Sequence, residues 1–212
     1  MINNIKIIND DCMNIMKDYS DNHFDLAIVD PPYGMPKQSS QGGFRKGKKL
    51  IYNQHEIKEW DIAPDKDYFI ELMRVSKNQI IWGGNYFIDH LYSSRGIICW
   101  DKYQPWENFS QIEFAWTSFQ KGMKSTAKLF RSKSNLKDKI HPTQKPVKLY
   151  TWLLAKYAKE GDLILDTHLG SGSSAIACYE MSHKFVGIEI DKEYYSKAKQ
   201  RINDLTRQEF LF

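Results

Sequence analysis

An acid, two prolines and an aromatic ring stand in a row at Asp30-Pro31-Pro32-Tyr33. They follow Phe24-Asp25-Leu26-Ala27-Ile28-Val29, which reads as a buried strand. Proline has no N–H to give a ladder, so the strand must stop there. The result is a stiff turn presenting one carboxylate, proline carbonyls and one ring, the parts needed to hold an amino group on a flat heterocycle. A second constellation is Asp166-Thr167-His168-Leu169-Gly170-Ser171-Gly172, between the strand Leu163-Ile164-Leu165 and a helix over 173–182. Its glycines let backbone approach a ligand closely. It is neither G-x-G-x-x-G nor a loop ending in Gly-Lys-Ser/Thr, which argues against dinucleotides and triphosphates. Asp166 suits a cationic ammonium, and Glu189, at the end of the next strand, can accept from both hydroxyls of a ribose. Taken alone the loop reads equally as a tight turn; paired with Glu189 it favours a ribose-bearing ligand.

Alternating elements position these groups. Strands are expected at 5–8, 24–29, 79–82, 96–100, 113–116, 163–165 and 185–188. Helices are expected at 12–18, 66–76, from Pro146 to about 158, at 173–182, and from Asp191 onward, with Asp11 and Asp191 as caps. Phe69, Leu72 and Met73 give one helix its stripe, and Val147, Tyr150, Leu154 and Tyr157 another. No helix separates 96–100 from 113–116, which favours antiparallel pairing there. The rest predicts an α/β protein with a mostly parallel sheet covered on both faces, whose ligands bind beyond the strand C-terminal ends. Asp11, Asp30, Asn85, Asp166 and Glu189 all fall at such ends.

The 212 residues, 42% hydrophobic and 26% charged, suit one domain over 1–212. The net charge of +4 is unevenly spread. Residues 35–50 hold Lys37, Arg45, Lys46, Lys48 and Lys49 without an acid, inside a polar stretch, 34–57, that reads as a long loop. Residues 121–139 hold Lys121, Lys124, Lys128, Arg131, Lys133, Lys137 and Lys139 against Asp138 alone. Two basic stretches on an otherwise acidic chain predict a polyanion partner. Cys12, Cys99 and Cys178 stand apart, as reduced thiols of a cytoplasmic protein would, and the scattered histidines predict no metal. No run is long enough for a membrane span, and no secretory signal is read at the start.

The Asp30 turn and the Asp166 loop resemble the catalytic and cofactor motifs of the DNA amino-methyltransferases that act on adenine N6 or cytosine N4. Asn9-Asp10-Asp11-Cys12, Trp82-Gly83-Gly84-Asn85-Tyr86-Phe87, Trp100-Asp101-Lys102 and His141-Pro142-Thr143-Gln144-Lys145-Pro146 are similar to further segments of that family, so the likeness spans most of the chain. Their order, catalytic motif first, resembles the β group. This implies a circularly permuted, Rossmann-like methyltransferase fold with a seven-stranded, mostly parallel sheet, one antiparallel strand, and residues 5–8 beside 185–189. It implies S-adenosyl-L-methionine as cofactor. Asp166 and Gly170 would lie at its methionine end, Glu189 on the ribose and Asp11 near the adenine amine, with Ser171 and Gly172 as further cofactor contacts, His168 shaping the loop and Thr143 and Lys145 as weaker contacts. Lys145 reads equally as a solvent lysine at a helix start.

Asp30, Pro31, Pro32 and Tyr33 would be catalytic, with Tyr33, Tyr86 and Phe87 walling a flipped base; the last two read equally as core aromatics. DNA would be the partner, its phosphates met by Lys37, Arg45, Lys46, Lys48, Lys49, Lys124, Lys128, Arg131 and Lys133, and its bases read by a short target-recognition segment, 103–140. A homodimer is implied by resemblance alone. The aspartate that opens the motif favours adenine N6, because serine is more frequent there in cytosine-N4 enzymes; cytosine N4 is the alternative. An intact Asp30 and an intact glycine loop argue against a non-catalytic DNA-binding relative.

Overall fold

The computed structural model describes residues 4–34, 44–45, 48–49, 62–104, 110–133 and 139–208, with 44–45, 48–49 and 206–208 as backbone only. The strands are β1 (Ile5–Asn9), β2 (Leu26–Val29), β3 (Phe44–Arg45), β4 (Lys48–Lys49), β5 (Gln79–Trp82), β6 (Ile97–Asp101), β7 (Ile112–Thr117), β8 (Lys128–Arg131), β9 (Leu163–Asp166) and β10 (Lys184–Glu189). The helices are α1 (Cys12–Met16), α2 (Lys66–Val75), α3 (Val147–Tyr157), α4 (Ser173–Glu180) and α5 (Lys192–Gln208).

One sheet runs in the order β1-β10-β9-β2-β5-β7-β6-β8. β1 lies parallel to β10, with Ile5 opposite Phe185 and Asn9 opposite Glu189, so the two ends of the chain meet as the permuted order implies. β7 is antiparallel to both neighbours, β5 and β6, and β8 is parallel to β6. The other strands of this sheet therefore point one way.

The sheet has eight strands where seven were expected. The addition is β8, hidden in sequence by its basic surroundings. Its Lys-Leu-Phe-Arg alternation packs the Phe130 ring 5.3 Å from Trp152, while Leu129 faces outward. A second difference lies in the stretch read as loop, where β3 and β4 pair antiparallel, Phe44 opposite Lys49.

Because strand side chains alternate, a strand buried on both sides must be apolar throughout. β2 is: Leu26 and Ile28 join one core with α3, α4 and α5, while Ala27 and Val29 join another with α1 and α2. Asp11 caps α1 by accepting the Met13 N–H at 2.8 Å, and Asp191 caps α5 by accepting from Glu193 and Tyr194. α4 stops at Glu180, two residues short of expectation, where Ser182 takes a positive φ of 59°. Val147, Tyr150, Leu154 and Tyr157 do form an inward stripe on α3, although Val147 is only partly buried.

Candidate active site

A cavity of about 540 Å³ opens over the C-terminal ends of β1, β10, β9 and β2. β7 reaches it from the opposite direction, so the start of that strand, Glu113, also faces the cavity.

Asp30, Pro31, Pro32 and Tyr33 all line this space. Both carboxylate oxygens of Asp30 are engaged: the Tyr33 hydroxyl donates to Oδ1 at 2.7 Å, and Lys145 Nζ donates to Oδ2 at 2.5 Å. Burial, reinforced by the Asp30 carboxylate, pushes the Tyr33 phenol well above its usual range, so it remains a donor. The Tyr33 ring stacks on Tyr86 with centroids 4.8 Å apart and planes 17° from parallel. Gly83 makes this possible. It holds φ at +68°, and a Cβ there would lie 2.2 Å from Tyr33 Cε1. Tyr86 is half exposed beside Tyr33, whereas Phe87 sits in the core, edge-on to Tyr33 and 5.1 Å from Phe69. Of the two further aromatics expected as base walls, Phe87 thus packs as a core residue.

Lys145 is no solvent lysine; its side chain is 3% exposed. Its Nζ lies between Asp30 and Glu113, 3.2 Å from the latter's Oε2, and 5.2 Å from the Trp82 ring centroid. Burial alone would lower the ammonium's pKa, but the two carboxylates outweigh it and hold the group charged. Burial likewise opposes ionisation of Glu113, and Lys145 and Lys102 overcome it, leaving its pKa below the ordinary value. Lys102 Nζ meets Glu113 Oε1 at 2.9 Å.

The glycine loop sits one strand away. Asp166 Oδ1 accepts the His168 N–H at 3.1 Å and Oδ2 accepts the Ser174 hydroxyl at 2.6 Å. The carboxyl therefore lies buried beneath the loop, and Asp166 is not among the residues lining the cavity. Burial, with smaller contributions from Asp30 and Glu189, pushes it up to about 7. Gly172, with φ at +74°, also turns away from the cavity. A Cβ there would approach Ile202 of α5 at 3.2 Å. Gly170, Ser171, His168 and Glu189 do line it. Glu189 Oε2 accepts the Gly170 N–H at 2.8 Å, which ties the loop to β10. From α5, Arg201 Nη1 donates to the Ser171 carbonyl at 2.8 Å and lies 3.0 Å from the Ser173 hydroxyl. The loop is thus fixed from two sides.

His168 is pushed down to about 4 by burial, so its ring is neutral near pH 7. Its Nδ1 lies 2.9 Å from the Thr167 hydroxyl, which in turn is 2.7 Å from the Tyr68 hydroxyl. Asp11 and Thr143 complete the expected set at the cavity, Thr143 with its hydroxyl 3.1 Å from His141 Nδ1.

The arrangement accommodates a nucleoside carrying a cationic arm. Glu189 stands at the end of β10 as a ribose acceptor, and the nearby Asp166 carboxyl, bonded in this structure to neutral donors, gains from an approaching cation.

The basic residues divide by position. Lys124 donates to the Tyr157 carbonyl at 2.5 Å, and Lys128 to the Met123 carbonyl at 2.8 Å. Both lie at the N-terminal end of β8, the far end of the sheet from the cavity. Arg131, 3.4 Å from Asp101, and exposed Lys133 lie at the cavity end. Lys37 and Lys46 fall outside the described residues, and Arg45, Lys48 and Lys49 are described as backbone of the β3–β4 ribbon. Among the described residues no cluster of acids, histidines and cysteines could hold a metal, and no helix is long and apolar enough to cross a membrane.

In sequence, Glu113 and Tyr68 carry no sign of a place at the site, and Lys102 stands out only within the family-like segment Trp100-Asp101-Lys102. Glu113 reads there as the first residue of a strand. The signal was an acid opening an apolar run, but its meaning depends on β7 running backwards.

Comparison with known proteins places this geometry in context. The profile of the DNA methylase family N6_N4_Mtase matches residues 44–200. Type II methyltransferase M.HpaI of Haemophilus parainfluenzae is 24% identical over 93% of this chain and 74% of its own length. Type II methyltransferase M2.MboI of Moraxella bovis is 25% identical over 96% and 89%. The crystal structure of an M1.HpyAVI-SAM complex superposes with a TM-score of 0.63 at 22% identity, covering 94% of this chain and 99% of that one. The solved structure of PvuII DNA methyltransferase, cytosine-N4-specific, superposes with a TM-score of 0.64 at 14% identity, covering 97% of this chain and 92% of that one.

Proposed function

The chain belongs to the N6/N4 DNA methylase family, and from that premise we propose that it transfers a methyl group from S-adenosyl-L-methionine to the exocyclic N6 of adenine in DNA. The observation that carries this reading is the Asp30 carboxylate at the cavity wall, on the strand next to the one that carries the glycine loop. Glu189, Gly170, Ser171, His168, Asp11 and Thr143 would hold the cofactor, with Asp166 acting from beneath the loop. When bound, the cofactor supplies an electrophilic methyl group.

The chain's own residues deal with the other reactant. An exocyclic base amine is a poor nucleophile because its lone pair is delocalised into the ring. Asp30 accepts one amine hydrogen and the Pro31 carbonyl the other, which localises the lone pair. The fixed carboxylate then stabilises the positive charge that develops on nitrogen. The amine is inaccessible inside a duplex, so the base must swing out. Tyr33 offers it a ring face, a contact worth ~1–3 kcal/mol.

Aspartate at position 30 supports adenine over cytosine. Segment 103–140 reads bases and the basic stretch within 34–57 meets phosphates. The sheet face that carries Ile97, Phe114 and Leu129, each more than 40% exposed, supports a homodimer. The reduced cysteines and absence of a spanning helix among the described residues fit a cytoplasmic site.

The test is to incubate the protein with unmethylated DNA and labelled cofactor, then digest and identify the methylated nucleoside by mass. N6-methyladenine is expected. N4-methylcytosine would move the assignment to the other amine, and tight DNA binding without transfer would indicate a non-catalytic relative.

A further inference from the structure

The cavity contains a charged group for which the reaction above has no use. Lys145 Nζ is a buried ammonium, and it donates to Asp30 Oδ2 at 2.5 Å. The other oxygen already receives the Tyr33 hydroxyl at 2.7 Å. An amine bound for methylation is also an N–H donor and needs an Asp30 oxygen. Each oxygen can take a second donor, but the lysine's short contact occupies the oxygen that the Tyr33 hydroxyl leaves open, so lysine and base crowd the same acceptor. A permanent lysine contact would oppose base binding.

The structure also holds a second acceptor. Glu113 Oε2 lies 3.2 Å from the same Nζ, on the cavity side of β7. Lys145 can shift its weight from Asp30 to Glu113 without becoming an unpaired buried charge, the step that would otherwise be costly. The Trp82 ring at 5.2 Å gives the ammonium a further favourable surface. Lys102, 2.9 Å from the other Glu113 oxygen, anchors that carboxylate.

We propose that Lys145 stands in for the target amine on Asp30 while the cavity is empty, and that Glu113 is the positioning residue that draws it aside when a base enters. The proposal rests on the reading that Asp30 receives the base amine. It explains why a cation is buried at the catalytic carboxylate and why a second carboxylate accompanies it.

The test is a mutant cycle with unmethylated plasmid DNA at saturating cofactor, comparing wild type, Glu113→Gln, Lys145→Met and the double variant. Glutamine keeps an acceptor but not the charge, so Asp30 becomes the one carboxylate beside Lys145 among the described residues. Glu113→Gln should therefore raise KM for DNA about tenfold, the size of one charge-assisted contact, with kcat within about threefold and cofactor affinity by calorimetry unchanged. Lys145→Met should leave KM for DNA no higher than wild type. In that background Glu113→Gln should add nothing, because its effect runs through Lys145.

An unchanged KM in Glu113→Gln, or an equal penalty in both backgrounds, would overturn the proposal. If Lys145→Met does not fold, Lys145→Arg takes its place. Its two-pronged grip on Asp30 should raise KM with Glu113 intact, and an unchanged KM would count against the proposal. Wild-type protein that transfers no methyl group to DNA would instead sink the underlying reading, a result distinct from transfer with an unmoved KM.

Discussion

Two aspartates end two adjacent parallel strands, and they are solvated by the protein in opposite ways. Asp30, at the end of β2, holds an ammonium and a phenol and faces the cavity. Asp166, at the end of β9, receives a backbone N–H and a hydroxyl from the described residues, lies beneath the loop, and is pushed up to about 7 by burial. The carboxylate that must accept hydrogens from a reacting amine is paired with an ammonium. One that organises a loop can be satisfied by neutral donors. Two acids at neighbouring strand ends therefore need not share one chemistry; the partners delivered from distant parts of the chain decide it.

The sharpest break of this comparison is at Asp30. Asp30→Ala should reduce methyl transfer at least about a thousandfold, as expected when charge stabilisation at the reacting atom is lost. Cofactor affinity should stay within about twofold by calorimetry; normal turnover would rule out the mechanism.

Asp166 should announce itself through pH instead. Its folded-state pKa is raised, so between about pH 4 and about pH 7 the folded protein binds more protons there than the unfolded chain. Stability falls as pH rises through that window. Replacing it by asparagine should change the unfolding free energy relative to wild type by up to about 1.4 kcal/mol per pH unit across the window, measured by denaturant titration.

His168 has the opposite sign. Its pKa is lowered to about 4, so its contribution is lost as pH falls from about 6.5 toward 4. The two slopes oppose each other in wild type over the shared range, so His168→Asn should expose the Asp166 slope and Asp166→Asn the histidine slope. Identical pH profiles for the two variants would contradict this pairing.

A smaller effect is expected at Arg201, whose two bonds fix the loop from α5. Arg201→Ala should weaken cofactor binding about tenfold, in line with loss of a charged hydrogen bond, while DNA affinity holds. Equal loss of both would mean general destabilisation.

The finest test separates the two ends of β8. Arg131→Ala with Lys133→Ala should reduce the slope of log affinity against log salt by about 2, near one unit per phosphate contact. Lys124→Ala with Lys128→Ala should leave it unchanged, since those amines are bonded to backbone carbonyls at the far end. A loss of slope in the second pair would place DNA across the opposite edge of the sheet.

The sequence alone determined what local chemistry controls. Two prolines had to end β2 at Asp30, apolar runs had to be buried strands, and Asp11 and Asp191 had to cap helices, because each depends on neighbours a few residues away. Motif order was enough to bring β1 beside β10. It was not enough for β8, whose apolar residues are masked by lysines and arginine, nor for Asp166, whose place beneath the loop depends on Ser174. Only the tertiary structure could decide which basic residues share the cavity's end, because strand direction sorts charges that look alike in sequence. Only it could bring Lys145 and Glu113, 32 positions apart on separate elements, to the same carboxylate of Asp30. That meeting arises from one strand running against all the others, a long-range property with no local signature in the chain.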